Sequence, residues 1–130
     1  AEYCMSLSLY RIEEETFLDN DSMKIIHDYV HNNFEKKITL EEVASVTNMS
    51  SVTFNRFIKK RSGKTFINYL NEIRVGYAAR WLIEKNLTVS EIAFEAGFNN
   101  IANFNKIFKT IKKCTPSEFK SRFIGVKKIQ

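Results

Sequence analysis

The feature that most constrains the fold is an internal repeat. The segment TLEEVASVTNMSSVTFNRFIKKRSGKT, which begins at Thr39, is similar to the segment TVSEIAFEAGFNNIANFNKIFKTIKKCT, which begins at Thr88. Their first halves match at an offset of 49 residues, and their second halves match at an offset of 50 after one inserted residue. One supersecondary unit therefore occurs twice, and two copies are too few for a solenoid.

The residue pattern predicts an all-α chain. Only four Gly and one Pro occur in 130 residues, and no stretch shows the sustained alternation of a half-buried strand. Three Thr-x-x-Glu sequences, which are typical of helix N-termini, begin at Thr39, Thr88 and Thr115. We predict helices at residues 23–35, 40–47, 51–61, 66–85, 89–96, 100–111 and 116–123.

Each copy of the repeat reads as a short capped helix, a tight turn and a longer second helix, which is the helix-turn-helix pattern. Asn48 and Gly97 occupy the turn position that favours a left-handed backbone, where glycine is tolerated best and asparagine next best. The sequence thus predicts two helix-turn-helix units, at about 39–62 and 88–112, joined by a connecting helix at about 66–85.

Charge is unevenly distributed along the chain. The net charge is +5, but residues 1–22 hold one basic and six acidic residues, which leaves +10 for the remainder. A basic body suggests a polyanionic partner. We predict that residues 1–22 are an acidic linker or the tail of a missing N-terminal sensor or dimerisation domain.

Several classes of protein are disfavoured. No stretch approaches 18 consecutive apolar residues, so no membrane span is predicted. Cys4 and Cys114 are too few for a disulfide framework. His27 and His31 have a spacing found in metal sites, but no third ligand is near, so we predict no metal and no cofactor. No nucleophile elbow, glycine-rich phosphate loop or paired carboxylates indicate an enzyme.

Two stretches carry a resemblance to a known family. EIAFEAGFNNIANFNKIFK followed by TPSEFK, and RSGKTFINYLNEIRVGYAARWL, resemble the DNA-binding domain of the AraC/XylS family of bacterial transcription regulators. The resemblance covers about Met23 to Arg122. It implies that residues 23–130 bind double-stranded DNA in transcriptional regulation, with two recognition helices in successive major-groove segments.

The expected dimensions agree with that arrangement. Recognition helices on one DNA face must lie about 34 Å apart, which is one turn of the duplex. A connecting helix of 20 residues at about 1.5 Å each spans roughly 30 Å. A monomer can therefore contact two major-groove segments.

The second helix of each unit is expected to bury one face and to present the other to DNA. Asparagine suits adenine, arginine or lysine suits guanine, and small apolar groups suit the thymine methyl. The predicted base-reading residues are Val52, Asn55, Arg56, Ile101, Ala102, Asn105 and Lys106. The predicted phosphate contacts, which position the domain without reading sequence, are Ser51, Lys59, Lys60, Arg61, Lys109, Lys112 and Lys113. The alternatives are ordinary solvated surface for these polar and basic groups, and half-buried core for Ile101.

Three positions give further expectations. Many family members have arginine where this chain has Lys106, and lysine lacks the bidentate fork for guanine. Many have glycine near Lys113, as this chain has at Gly63. Because a left-handed lysine costs about 1 kcal/mol, we expect the second of these turns to differ from the first. Arg74 is expected to be structural and to pair with Glu72 or a neighbour within the connecting helix.

The predicted partners are double-stranded DNA and, as a candidate, RNA polymerase, with no membrane partner. The chain is expected to be a monomer, and the full-length protein is a candidate dimer through the missing N-terminal domain. The expected location is the bacterial cytoplasm, at the nucleoid. The alternative function is that of a basic helical module that binds an acidic protein or RNA.

Overall fold

The computed structural model describes the backbone of residues 21–129 and the side chains of residues 21–123. The elements in chain order are α1 at 21–33, α2 at Leu40–Val46, α3 at Ser51–Ser62, α4 at Phe66–Glu84, α5 at Val89–Glu95, α6 at Ile101–Lys112 and α7 at Pro116–Ile129. The all-α prediction is confirmed. The predicted acidic leader falls almost entirely in residues 1–20, outside the described residues.

Side-chain caps fix where most helices begin. The hydroxyl oxygens of Thr39, Thr88 and Thr115 accept the amides three residues later at 3.1, 3.2 and 3.1 Å, as their sequences predict. Thr65 caps α4 in the same way at 3.3 Å. Each bond satisfies an amide that has no partner within its helix.

Most helix ends lie within two residues of their predicted positions, and two of the differences are informative. The sequence pattern places Asn100 in the first turn of its helix, but it is the N-cap, since its side chain accepts the amide of Asn103 at 3.0 Å. Asparagine favours this position because its oxygen satisfies an otherwise unpaired amide. The last helix, α7, continues to Ile129, six residues beyond the predicted end at 123.

The core consists of two clusters that share α4. The first unites α1, α2, α3 and the first half of α4 through Ile26, Val30, Phe34, Ile38, Val43, Ala44, Phe54, Ile58, Phe66 and Leu70. The second unites the rest of α4 with α5 and α6 through Val75, Ala78, Ala79, Leu82, Ile92, Ala93, Ala96, Phe98, Phe104 and Phe108. Phe119 of α7 packs against the second cluster. Each helix-turn-helix unit thus has its own core, and α4 belongs to both.

The turns inside the two units have the same backbone. Asn48 and Gly97 both have positive φ, 58° and 98°. The amides of the next residues, Met49 and Phe98, donate to carbonyls five residues earlier at 2.9 and 3.0 Å. This bond and the left-handed residue before it define a Schellman motif. The prediction for both turn positions is confirmed.

The turns after the second helices also match each other, against our expectation. Gly63 has φ 75° and Lys113 has φ 67°, and each amide donates to the carbonyl of a lysine four residues earlier at 2.8 Å. The second turn is anchored by Cys114 and Pro116, which are buried. The packing of these two residues, which follow Lys113, holds its backbone in a conformation that a lysine disfavours.

Arg74 is the buried charged residue of the described chain, with 9% of its surface exposed. Its Nε donates to the carbonyl of Phe34 at 2.9 Å, and its Nη2 donates to the carbonyl of Lys36 at 3.0 Å. Burial lowers the pKa of this guanidinium from its ordinary value. The structural role is confirmed, but the expected pairing with Glu72 is wrong, because Glu72 pairs with Lys64 instead.

The partners of Arg74 have a physical explanation. A buried carbonyl outside a helix needs a hydrogen-bond donor from elsewhere in the protein. The carbonyls that receive the Arg74 guanidinium belong to Phe34 and Lys36, in the turn that follows α1. Arg74 therefore joins the end of α1 to the middle of α4.

Candidate nucleic-acid interface

The second helices of the two units, α3 and α6, bury the same positions. Both have 12 residues, and both bury the fourth and the eighth, namely Phe54 and Ile58 in α3 and Phe104 and Phe108 in α6. The two arcs that face solvent consist of Val52, Thr53, Asn55, Arg56, Lys59, Lys60, Ala102, Asn103, Asn105, Lys106, Lys109 and Thr110. The repeat therefore produces two equivalent exposed surfaces.

Six of the seven predicted base-reading residues lie on these arcs. Val52, Asn55 and Arg56 share one face of α3, because residues three and four apart are neighbours on a helix. Ala102, Asn105 and Lys106 share the equivalent face of α6. Ile101 is half-buried at the start of α6, beside this face.

Val52 is unusual among apolar residues in having 63% of its surface exposed. Scattered exposed apolar residues are normal on a protein surface. Here the valine stands beside two polar side chains suited to base edges, at the helix position equivalent to Ala102. Each exposed face therefore contains one apolar side chain among its polar ones.

The predicted phosphate contacts cluster at the C-terminal ends of the two helices. The last turn of α3 holds Lys59, Lys60 and Arg61, and the last turn of α6 holds Lys109 and Lys112. Lys113 follows as the C-cap of α6, whereas Ser51 is half-buried at the start of α3. Positive charge is also favourable at a helix C-terminus, so these residues stabilise their helices as well.

The two histidines are engaged with each other and with α4. The rings of His27 and His31 lie 4.0 Å apart, and Nδ1 of His31 lies 2.7 Å from the hydroxyl oxygen of Tyr77. Burial, followed by the charge of His27, lowers the pKa of His31, while Asp28 acts in the opposite direction. Within the described residues no three metal-ligating side chains lie together.

The structure also brings together residues that our sequence reasoning did not select. Lys64, Asn68 and Asn71 line a cleft between the start of α4 and one flank of α6. Lys64 lies in the turn before α4, and Asn68 and Asn71 lie on α4 itself, so the three residues form a polar stripe that leads onto a helix whose other residues are largely apolar. Their spacing of four and three residues was the signal available in the sequence, but only the packing of α6 shows what they face.

Comparisons with known proteins agree with this geometry. A family model described as a helix-turn-helix domain matches residues 43–122. The bifunctional transcriptional activator/DNA repair enzyme AdaA of Bacillus subtilis is 32% identical over 106 residues. That alignment covers 82% of this chain and 50% of AdaA, so the chain spans about half the length of this curated relative.

Solved structures show the same architecture. The C-terminal domain of AraT, a response regulator from Geobacillus stearothermophilus, is similar with a TM-score of 0.72 at 30% identity, covering 78% of this chain and 84% of that one. A probable AraC family transcriptional regulator from Rhodopseudomonas palustris has a TM-score of 0.73 at 22% identity, covering 79% of this chain and 97% of that one. The second likeness concerns the fold alone.

Proposed function

The chain belongs to the AraC/XylS family of helix-turn-helix transcriptional regulators, and from this premise we propose that it reads two successive major-groove segments of double-stranded DNA. The observation that carries the proposal is the equivalence of α3 and α6, which bury the same positions and expose the same arcs. A helix fits the major groove and presents three or four side chains to base edges.

The chain supplies different chemistry on its two recognition helices. Asn55 and Asn105 occupy equivalent positions and suit adenine, where a bidentate pair contributes about 1–3 kcal/mol of discrimination. Arg56 offers a bidentate fork to guanine, whereas Lys106 at the equivalent position offers a single charged group. We expect α3 to specify guanine more strongly than α6.

Apolar contacts accompany these polar ones. Val52 and Ala102 are exposed at equivalent positions and suit thymine methyl groups, and Ile101 adds an apolar surface beside Ala102. The basic ends of both helices supply contacts to phosphates, which set the register of the domain on the duplex. We assign these contacts to Lys59, Lys60, Arg61, Lys109, Lys112 and Lys113, and a further phosphate contact to Ser51 at the start of α3.

The length of α4 suits the spacing expected for the two recognition helices, α3 and α6. Its 19 residues at about 1.5 Å each extend about 28 Å, close to the roughly 34 Å between major-groove segments on one DNA face. Because α4 belongs to both cores, it holds the two units as one body. This supports binding of a two-part site by one copy of the chain.

The remaining functional assignments concern the whole protein. We propose that residues 1–22 link residues 23–130 to a sensor or dimerisation domain, and that the whole protein regulates transcription in the bacterial cytoplasm with RNA polymerase as its partner. Family membership and the charge difference between the leader and the rest of the chain support this arrangement. We propose no catalytic role for this chain. Among the described residues, no helix has the combination of length and hydrophobicity needed to cross a membrane.

Selection of bound duplexes from a random pool tests the proposal. We expect a two-part site whose halves are about one helical turn apart. A scrambled duplex that competes equally with the selected one at physiological salt would instead support the alternative, a basic module for RNA or an acidic protein. The selected duplex then serves for the variants.

Asn105→Ala and Lys109→Ala form a matched pair, because both side chains are exposed and lie one turn apart on α6. Loss of Asn105 should relax preference at one base pair and leave the salt dependence of binding nearly unchanged. Loss of Lys109 should weaken binding to all sequences and reduce the slope of log affinity against log salt by about 0.9. Similar behaviour of the two variants would refute the division into base-reading and phosphate-binding residues.

A further inference from the structure

The cleft between the start of α4 and the flank of α6 has a volume of about 580 Å³. One wall includes Lys64, Asn68 and Glu72, and the opposite wall includes Asn103, Lys106 and Lys113. Ile107 also contributes to its lining. Polar and charged groups therefore face the cleft from the start of the connecting helix and from the second helix-turn-helix unit, above a floor that includes apolar side chains.

The charge of the cleft is positive. The two walls contain three lysines and one glutamate. The carboxylate of Glu72 forms an ion pair with Lys64, and both side chains are 42% exposed. An exposed pair of this kind contributes little to stability, but it holds the Lys64 ammonium at the cleft. The other two lysines supply positive charge that Glu72 does not neutralise.

The position of the cleft relates it to both recognition helices. Lys64 follows Gly63, which ends α3, and Lys106 lies on the exposed arc of α6. The cleft thus extends from the end of one recognition helix to the flank of the other. The cleft therefore borders the surface to which the proposed function assigns DNA.

We propose that this cleft binds the sugar-phosphate backbone of the DNA segment between the two major-groove segments. The inference rests on the proposed function, because it assumes that α3 and α6 bind one duplex. Phosphate oxygens accept hydrogen bonds from ammonium and amide groups, and the cleft supplies both, from its lysines and from Asn68 and Asn103. The centre of the operator then contributes affinity independent of its base sequence.

The test uses a selected duplex in which the central phosphates are replaced by neutral methylphosphonates. With the unmodified chain, we expect these replacements to weaken binding and to reduce the salt slope by about 0.9 for each phosphate that the cleft binds. Lys64→Gln should reduce the slope on the ordinary duplex and should bind the ordinary and neutralised duplexes with a smaller difference. Two groups that contact each other show such non-additive effects.

Two control variants complete the test. Lys24→Gln makes the same change of charge at an exposed position on α1, away from the cleft, and should retain the full penalty for neutralised phosphates. Glu72→Gln removes the carboxylate that repels phosphate and should increase affinity for the ordinary duplex. Circular dichroism should show unchanged helix content, because Lys24 and Glu72 are exposed and the side chain of Lys64 is 42% exposed.

The outcomes separate this inference from the proposed function. If the chain prefers the selected duplex but Lys64→Gln behaves like Lys24→Gln, the cleft does not bind the backbone, while the proposed function stands. The same conclusion follows if neutralising the central phosphates weakens the binding of both variants equally. It also follows if inorganic phosphate binds in the cleft without competing with DNA. If no duplex is preferred, the proposed function itself fails, and the inference fails with it.

Discussion

The turn of the first helix-turn-helix unit contains Asn48, which is exposed, whereas the equivalent turn of the second unit contains Gly97, which lies against α1 and α4. Both residues have a left-handed backbone and the same hydrogen bond after them. A Cβ built on Gly97 would lie 2.5 Å from the carbonyl oxygen of Phe34 and 2.9 Å from Nε of Arg74. The first turn needs only the left-handed conformation, while the second also needs the absence of a side chain.

The cores of the two units differ in a related way. In the second unit Phe98, Phe104 and Phe108 form a series of rings with centroids 5.0 and 5.6 Å apart. At the equivalent positions the first unit has Met49, Phe54 and Ile58. The two units thus share one backbone plan with different packing, and the second turn contacts the end of α1, which packs in the first core.

Exchanging the turn residues Asn48 and Gly97 should reveal the largest difference in stability between the two units. Gly97→Asn introduces the residue that the first unit uses, yet it should destabilise the protein by about 2–4 kcal/mol, because its Cβ overlaps a backbone carbonyl in addition to left-handed strain. Asn48→Gly should change stability by about 0.5 kcal/mol or less, since glycine relieves strain but adds unfolded-state entropy. Urea denaturation of both variants measures this, and equal effects would show that backbone conformation alone selects both residues.

Arg74 provides the next comparison, because it bonds to Phe34 of the first core and lies beside Gly97 in the turn of the second unit, while its neighbours on α4 serve one core each. Arg74→Met keeps an apolar stem but leaves the carbonyls of Phe34 and Lys36 without their donors, which should cost about 1–3 kcal/mol. Arg74→Lys should recover part of this loss.

Arg80→Met is the control for this change on the same helix. Arg80 is 68% exposed and pairs with Glu84, so its loss should change stability by less than about 1 kcal/mol. Binding to duplexes with one base pair added between the two half-sites is a second measurement. If Arg74 fixes the angle between the units, Arg74→Met should lessen the preference for the original spacing and Arg80→Met should not.

At the turns after α3 and α6 we expect smaller changes in stability, and a glycine introduced into the second of these turns should stabilise the protein. Lys113→Gly should stabilise the protein by about 0.5–1 kcal/mol, because it removes left-handed strain from an exposed residue. Gly63→Lys should destabilise by a similar amount, since no atom lies within 4 Å of a Cβ at Gly63 and only the backbone strain is added. A thermal scan of both variants is sufficient, and a destabilised Lys113→Gly would mean that the lysine side chain supports this turn.

Local patterns were enough to predict most of the fold. The threonine caps, the apolar spacing of the repeat and the turn position shared by Asn48 and Gly97 are all encoded within a few residues of chain. The exposure of Asn55 and Asn105 likewise follows from helical periodicity.

Features that depend on distant segments were not predictable in this way. The partner carbonyl of Arg74 belongs to Phe34, 40 residues earlier, and no local rule pairs a side chain with a backbone atom at that distance. The cleft at Lys64 requires the packing angle between α4 and α6. The turn at Lys113 depends on the packing of Cys114 and its neighbours, which outweighs local preference.

The smallest expected effect comes from the two histidines of the chain, and it concerns the first core alone, because both lie on α1. Burial places the pKa of His31 below its ordinary value, so the unfolded chain takes up the proton first as the pH falls. Stability should therefore be complete above about pH 6.5 and should decline as the pH falls from there towards the folded-state pKa. His31→Gln should remove most of this decline.

Amide exchange can locate the loss of stability within the molecule. His31 contacts His27 and Tyr77, and Tyr77 stacks on Phe34 in the first core, with ring centroids 4.2 Å apart. At pH 5.5 we expect faster opening of α1, reported by the amide of Val30, while the amide of Phe108 in the second core keeps its protection after correction for intrinsic rates. The two cores share α4, so they can also open together. Equal loss of protection at the amides of Val30 and Phe108 would show that they do, and the two units would then differ in sequence and local packing but not in stability.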